Sequence, residues 1–439
     1  MRLRDVYLKV KLGDYLTVLT DYHANGAYKK LKENVTLKDD PDYAVMIRTT
    51  NFENNDFAVN LKYIDEHAYN FLTKSKVYPR DILMNKIASP GSVFQMPDLG
   101  RPVSLAMNLF LMRTDETRLD QTYAYYWLKV NEPYVKSFSC GAATATITKN
   151  AVRELVMHIP PLPVQRKIAG ILSAYDELIE NSQRRIKILE SMARSLYREW
   201  FFNFRFPGHE KVKLVPSPLG DIPKGWEVKP LEALMCDHIG GGWGKDAPDD
   251  DHTEPAFVIR GTDIPDARSS QVAGVPHRYH AKSNIRSRKL EAGDIVFEVS
   301  GGSKGQPVGR TLLITTELLS AFDCDVICAS FCKRIRPDAN RYNSELLYLS
   351  FLEGYDSGEI EQFQVQSTGI SNFKWTEYIE KTERIIPPTQ LRLYFCEQVG
   401  LLLKQIATLG LQIQNLRRTR DLLLPRLLSG QMNIQEEVT

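Results

Sequence analysis

The sequence lacks the features that would place it in a membrane or outside the cell. No run of about eighteen apolar residues occurs, so we expect no membrane-spanning helix. The six cysteines show no paired spacing, which favours a reducing compartment. Residues 1–5 lead into no apolar core of the kind that a signal peptide has. We therefore expect a soluble, cytoplasmic protein that does not contact a membrane.

An excess of charge of either sign is also missing. The 439 residues include 56 Lys and Arg against 54 Asp and Glu, a formal net charge of +2. Bulk charge therefore does not indicate nucleic acid, and any basic surface must be local.

The usual catalytic motifs are absent as well. Lys245 is followed by Asp246 and has Ile239 in place of the first glycine of a phosphate-binding loop. No Asn-Pro-Pro-Tyr motif of the kind found in methyltransferases is present. Cys324, Cys328 and Cys332 have no second pair of ligands that would complete a zinc site. We expect no catalytic residue, metal or cofactor in this chain, with an unfamiliar enzyme such as a metal-dependent nuclease as the alternative.

Two long amphipathic runs are present. The first extends from Pro160 to Phe201, with prolines only at its start, where a missing N–H is tolerated. Its predicted a/d seam consists of Ile168, Ile171, Tyr175, Leu178, Ser182, Leu189, Met192 and Leu196, broken at Arg185 and widened by Leu172, Ile179, Ile186 and Ala193.

The second run opens at Pro387 and is predicted to end at Pro425 and Gly430. Its seam consists of Phe395, Val399, Leu402, Ile406, Leu409, Ile413, Leu416 and Leu423, broken at Arg420. Packing the two helices as an antiparallel coiled coil would bury both seams. The alternative is two unrelated helices on separate cores.

The globular segments before the two helices repeat each other. Residues 44–51 match 256–263, and residues 80–83 match 293–296. The sequence therefore predicts a tandem duplication of a strand-rich segment plus a helix, an α+β fold. The predicted divisions are a first globular domain at 1–159, a central helix at 160–205, a linker and second domain at 206–386, a C-terminal helix at 387–430 and a tail at 431–439.

This duplicated pattern resembles the specificity subunit of type I DNA restriction–modification enzymes, over essentially the whole chain. The resemblance is carried by four stretches: Ile159-Pro-Pro-Leu-Pro-Val-Gln165, Arg198 to Phe204, Leu219-Gly-Asp-Ile-Pro-Lys-Gly-Trp226 and Leu422-Leu-Leu-Pro-Arg-Leu-Leu-Ser-Gly430. Two features depart from the family pattern. Pro388-Thr-Gln390 lacks the usual acidic residue before glutamine, and the first half lacks a clear Gly-Trp start.

The resemblance implies a non-catalytic subunit with two target-recognition domains, each reading one half of a split double-stranded DNA site. The coiled coil would space the domains and dock two methyltransferase subunits and, through them, a restriction subunit. S-adenosylmethionine, ATP and Mg²⁺ are then implied for those partners. A helix of about 37 residues is about 55 Å long, more than one DNA turn of roughly 34 Å. A coiled-coil scaffold that binds only proteins is the alternative.

The predicted DNA contacts follow strands or lie in small-residue loops. Arginine with guanine and asparagine with adenine are favoured base contacts. In the first half the predicted residues are Arg48, Thr49, Asn51, Thr144 and Thr146. In the second half they are Trp243, Lys245, Arg260, Thr262, Asp263, Arg286, Arg288, Ser303, Lys304, Arg310, Ser367 and Thr368. The alternative roles are loop capping for the residues after strands, a core position for Trp243, and a solvated face for the basic window 260–310.

Overall fold

The computed structural model describes residues 7–141, 144–301, 307–367 and 370–432, without the side chains of residues 367 and 370. The chain divides into two compact units, Met1–Glu177 with Arg418–Thr439, and Leu178–Arg417. Among the described residues, no helix is long and apolar enough to cross a membrane.

The first unit contains a strand-rich domain. Its strands are β1 (Leu8–Lys11), β2 (Leu16–Asp21), β3 (Ala44–Ile47), β4 (Tyr63–Ile64), β5 (Lys76–Val77), β6 (Ile82–Asn85), β7 (Val93–Gln95), β8 (Val103–Leu105), β9 (Leu109–Thr114) and β10 (Val156–Ile159). Its shorter helices are α1 (Tyr28–Asn34), α2 (Thr49–Glu53), α3 (Glu66–Phe71), α4 (Gln121–Val130), α5 (Glu132–Lys136) and α6 (Lys149–Arg153). The long helix α7 (Leu162–Phe201) follows.

The second unit contains the other strand-rich domain. Its strands are β11 (Leu214–Ser217), β12 (Gly220–Pro223), β13 (Glu227–Pro230), β14 (Met235–Gly240), β15 (Glu254–Ile259), β16 (His277–His280), β17 (Ile295–Glu298), β18 (Ser300–Gly301), β19 (Thr311–Leu313), β20 (Asp325–Cys328), β21 (Cys332–Pro337), β22 (Gln364–Ser367), β23 (Ile370–Phe373) and β24 (Glu383–Ile386). Its helices are α8 (Ile264–Ala267), α9 (Lys282–Arg288), α10 (Thr316–Leu319), α11 (Ser344–Asp356), α12 (Trp375–Lys381) and the long α13 (Thr389–Leu428).

The sheets of the two domains share one topology. The order β2-β9-β6-β7 in the first domain corresponds to β14-β21-β17-β19 in the second, and β4-β3-β8 corresponds to β16-β15-β20. The pairs β3–β8 and β15–β20 are both parallel. The first strand of each domain pairs with the last, β1 with β10 and β13 with β24. The predicted α+β duplication is confirmed by this correspondence.

A buried carboxylate at the start of matching strands is shared as well. Asp81 forms a bidentate ion pair with Arg113, at 2.7 Å from both Nε and Nη2. Asp294 forms the same pair with Arg336, at 2.7 and 2.9 Å. The first pair links the start of β6 to β9 within the first domain, and the second links the start of β17 to β21 within the second domain, so the two pairs occupy equivalent places in the two sheets.

The long helices pair in antiparallel orientation within each unit. In the first unit, Ile168 and Leu172 near the start of α7 pack with Leu424 and Leu428 near the end of α13. In the second unit, the end of α7 packs with the start of α13, where the ring centroids of Phe201 and Phe395 lie 4.7 Å apart. The predicted antiparallel coiled coil is therefore confirmed.

The predicted seam of α7 is wrong in part, because the helix carries two neighbouring apolar stripes. Ile168 of the predicted seam is buried, and so are the heptad-spaced Leu172, Ile179, Ile186 and Ala193, which were predicted to widen it. Ile171, Leu178 and Met192, which the sequence placed in the seam, are exposed at their side chains. The predicted seam of α13 holds, with Phe395, Val399, Ile406, Leu409 and Ile413 buried.

The structure differs from the sequence prediction at the end of α13 and in the segment that was predicted to be a linker. The helix continues through Pro425 to Leu428. The segment between α7 and β13 forms the β11–β12 hairpin and contributes Phe206, Ile222 and Trp226 to the core of the second unit. The Phe206 and Trp226 rings lie 5.1 Å apart between centroids, so this linker is packed.

A polar contact interrupts the seam in the first unit. Arg420, one heptad beyond Ile413, forms an ion pair with Asp176 of α7. The Tyr126 hydroxyl donates to the same carboxylate at 2.6 Å. A polar contact inside an apolar seam fixes the register of two helices, because any slip leaves it unpaired.

Replacing Arg420 by leucine should lower the stability of the chain by about 1–2 kcal/mol, since the partly buried Asp176 loses its partner. The double variant Asp176→Leu/Arg420→Leu should recover most of that loss. Thermal unfolding of both variants measures it, with Arg184→Ala, which breaks an exposed pair with Glu180, as the control. A double variant as unstable as the single one would contradict this role.

Candidate nucleic-acid interface

The end of β3 presents two of the predicted DNA-contact residues, Arg48 and Thr49. The backbone N–H of Arg48 donates to Asn51 Oδ1 at 3.0 Å, and its guanidinium donates to the carbonyl of Asn60 at 2.7 Å. Asn51 is buried and donates to the carbonyl of Asp56 at 3.2 Å. The structure thus gives Asn51 the capping role at the start of α2, while Arg48 and Thr49 remain partly accessible.

The same side of the first domain also carries the loop at 139–148. The Thr49 hydroxyl donates to Asn85 Oδ1 at 2.9 Å, at the end of β6. Two residues further along, Ile87 forms a backbone bridge with Thr146, which also pairs with Cys140. The end of β6 therefore brings Thr49 and Thr146 to one surface, although they are far apart in sequence. Thr144 is exposed in the same loop.

Two lysines that sequence reasoning missed meet at this surface. Lys86 and Lys149 bind the two oxygens of Asp21, at 3.1 and 2.9 Å. They line an open concavity of about 460 Å³ together with Thr146 and Thr148. Two ammonium groups on one carboxylate leave a net positive charge, which suits a phosphate. Because the contact is tertiary and each lysine is isolated in sequence, no local pattern could have shown it.

Burial alone would raise the pKa of Asp21, but hydrogen bonds from Lys149 and Lys86 outweigh it and lower the pKa below its ordinary value. A lowered pKa stabilises the fold above the unfolded pKa, and the contribution is lost as the pH falls through the folded pKa. We expect the wild-type stability to decline more steeply below about pH 4 than that of Asp21→Asn. Urea unfolding between pH 7 and pH 3 measures this, and identical acid limbs would contradict it.

The matching turn of the second domain begins after β15. Arg260 forms a bidentate ion pair with Asp263, at 2.9 and 2.7 Å, and donates to the carbonyl of Gly274 at 2.9 Å. The capping geometry is the same as at Arg48 and Asn51. Asp263 is buried, and Thr262 between them is exposed. The structure therefore gives Arg260 and Asp263 the capping role that the sequence left open.

A glycine-rich loop after β14 presents Trp243. The indole is 40% exposed, so it is not a core residue, and the Arg278 guanidinium lies over its ring at 4.5 Å from the centroid. Lys245 pairs with Tyr279 through both backbone groups, at 2.9 Å each. Gly244 has φ +70°, and a Cβ there would lie 2.6 Å from the His280 ring. The loop thus holds an exposed indole beside the Arg278 guanidinium, which also pairs with Asp246, while the Lys245 ammonium pairs with Asp249.

The remaining basic candidates differ in their availability. Arg286 is exposed on α9. Arg288 donates to the carbonyl of Gly240 at 2.9 Å. Arg310 binds the buried Glu298 through two bonds, at 2.8 and 2.5 Å, and is itself 11% exposed. The Arg310 guanidinium therefore has a structural role, since it pairs with a buried carboxylate in the domain core.

Four predicted residues fall outside what can be described. Ser303, Lys304 and Thr368 lie outside the described residues, and only the backbone of Ser367 is described, in β22. DNA contact by these and the other named residues stays a prediction. In the described part of the chain, no group of three His, Cys, Asp or Glu side chains is placed to hold a metal ion.

Comparison with known proteins finds similar sequences for this chain. Residues 7–191 match the family described as type I restriction modification DNA specificity domain. A Methanocaldococcus jannaschii protein, the type I restriction enzyme MjaIX specificity subunit, is 27% identical over 72% of this chain and 69% of its own. The Haemophilus influenzae HindI specificity subunit is 22% identical over 65% of this chain and 71% of its own.

A solved structure supports the fold. The S subunit of a type I restriction-modification system from M. genitalium superposes with a TM-score of 0.58, at 15% identity, over 96% of both chains. This S subunit therefore shares the fold of this chain. The resemblance to the type I restriction–modification specificity subunits found in the sequence is confirmed by these matches.

Proposed function

We propose that this chain reads a split, asymmetric double-stranded DNA target, with one half-site for each strand-rich domain. The observation that carries the proposal is the duplication itself: the same sheets and the same capping turns recur, with different side chains at the matching surfaces. Arg48-Thr49-Thr50-Asn51 corresponds to Arg260-Gly261-Thr262-Asp263, so the two turns differ at Thr49 against Gly261 and at the cap, Asn51 against Asp263. Different side chains at equivalent positions of the two domains suit the recognition of two different half-sites.

The partner arrangement belongs to the same proposal. The paired helices would set the distance between half-sites and dock two copies of a methyltransferase subunit and, through them, a restriction subunit. Adenine methylation and DNA cleavage would be carried out by those partners, which would bring S-adenosylmethionine, ATP and Mg²⁺. This chain would supply sequence recognition alone.

The test is to co-express the chain with the methyltransferase subunit from its own locus and to map methylated adenines across the host genome. One split, asymmetric motif is expected. A complex that assembles but yields no motif would favour the scaffold alternative. Cleavage of DNA by the chain alone with a divalent metal would favour the nuclease alternative.

A further inference from the structure

We propose that an apolar groove beside Arg48 in the first domain receives the methyl-bearing edge of thymine in the half-site that this domain reads. The inference rests on the proposed function and adds a specificity-determining surface to it. We call this surface the α1 groove. It has a cavity volume of about 380 Å³ and lies between α1, the end of β3 and the β8–β9 turn.

The floor and rim of the α1 groove are both apolar. Leu31 and Met46 are buried beneath it, since each belongs to the domain core. Three large side chains at its rim face solvent: Tyr28 is 69% exposed, Leu37 52% and Met107 50%. Isolated exposed apolar residues are normal, but three that share one concavity mark a binding surface.

The charge around the α1 groove identifies an anionic occupant. Helix α1 carries the exposed Lys29, Lys30 and Lys32 against one exposed acid, Glu33, and of these Lys32 lines the groove, with Arg48 on the other side. Among the described residues that line the groove, none is acidic. An occupant must therefore combine negative charge with apolar surface. A DNA duplex does so, because phosphates flank its major groove and the C5-methyl of thymine is the apolar group exposed there.

The position of the α1 groove fits this occupant. Thr49 lines the groove and is bound to Asn85, whose neighbour Lys86 lines the concavity that holds Thr146. The apolar groove and the lysine pair are therefore parts of one continuous surface. A duplex on that surface can place phosphates at the lysines while a base edge enters the groove.

The second domain has a different device at the equivalent connection. After β2 the chain builds α1 and the groove, whereas after the matching β14 it builds the short loop that presents Trp243. The residues that line the α1 groove belong to the first domain, so the inference is made for the first half-site.

The test uses the complex with the methyltransferase subunit and duplexes that carry its mapped target. Each thymine is replaced in turn by deoxyuridine, which removes only the methyl group. We expect at least one replacement in the first half-site to weaken DNA binding about fourfold, because that is the loss of affinity when one methyl-sized apolar group is no longer buried. In Met107→Ser the same replacement should have no effect. Leu8→Ser, an exposed apolar change on β1, should behave as wild type.

Each other result decides against the inference. Deoxyuridine without effect at every position, or an effect that persists in Met107→Ser, would overturn it while leaving the split target intact. Loss of subunit assembly in Met107→Ser with unchanged DNA affinity would make the groove a protein-docking surface instead. Absence of any split target in wild type would defeat the proposed function, which is a separate and recognisable outcome.

Discussion

Replacing Gly410 by alanine should destabilise the second unit. An added methyl group in a packed core costs about 1–3 kcal/mol, and we expect a value near the upper end of that range. A Cβ at Gly410 would collide with the backbone carbonyl of Ser269, which cannot rotate away. The same loop is fastened to α13 by Gln414, which donates to the Ser270 carbonyl, and by Arg417, which donates to Gln271. The methyl group would push the loop off the helix and cost these contacts too.

Gly400 provides a matched control on the same helix. A Cβ there meets nothing within 4 Å, so Gly400→Ala should gain about 0.5–1 kcal/mol from helix propensity. The two alanine variants should therefore shift the melting temperature in opposite directions, by about 2–4 °C per kcal/mol. Shifts of the same sign would contradict the close packing of α13 against the 269–271 loop.

Arg310→Ala should lower stability by about 3–5 kcal/mol, the cost of leaving a buried carboxylate unpaired. Glu298 is almost fully buried and accepts two hydrogen bonds from the Arg310 guanidinium. The hydrogen bonds to Glu298 and the charge of that carboxylate raise the pKa of Arg310 and outweigh burial, which alone would lower it, so the guanidinium stays charged. Denaturant unfolding measures the loss.

Arg286, a basic residue of the same region, serves as a control that distinguishes the structural role of Arg310 from a role in DNA contact. Arg286 is exposed on α9, and Arg286→Ala should change stability by less than about 0.5 kcal/mol. Arg310→Lys should fall between, because an ammonium cannot form the bidentate pair. If Arg310→Ala were as stable as Arg286→Ala, the pair would not be holding the domain core.

The fold was largely predictable because the sequence repeats itself. Matching apolar runs at 44–47 and 256–259 became β3 and β15, and the proline-opened amphipathic runs became α7 and α13. The register of α7 was not predictable in the same way. That helix carries apolar residues on two adjacent stripes, and only its partner decides which one is buried. Leu178 remains exposed while its neighbour Ile179 is buried.

DNA contact by the candidate residues stays a prediction, but their local roles show what a sequence pattern can resolve. The residues predicted to follow strands do lie at turns, but Arg260 and Asp263 bind each other, and a pattern of polar residues cannot distinguish such a pair from residues that contact DNA. Lys86 and Lys149 converge only through the folding of β6 and α6 against β2. The α1 groove was missed because Tyr28, Leu37 and Met107 form a concavity only in three dimensions.

The end of α13 shows a further limit of local signals. Pro425 was expected to stop the helix, since proline removes a donor and clashes with the preceding turn. The helix continues because Leu424, Leu427 and Leu428 pack into the core of the first unit. Tertiary burial outweighs the local cost there.

The most direct measurement of the central claim is an exchange of residues 1–159 for the corresponding segment of a relative with a different target, followed by mapping of methylated adenines. We expect one half of the split motif to change while the other half and the spacer length stay the same. A motif that changes in both halves, or in neither, would contradict the assignment of one half-site to each domain.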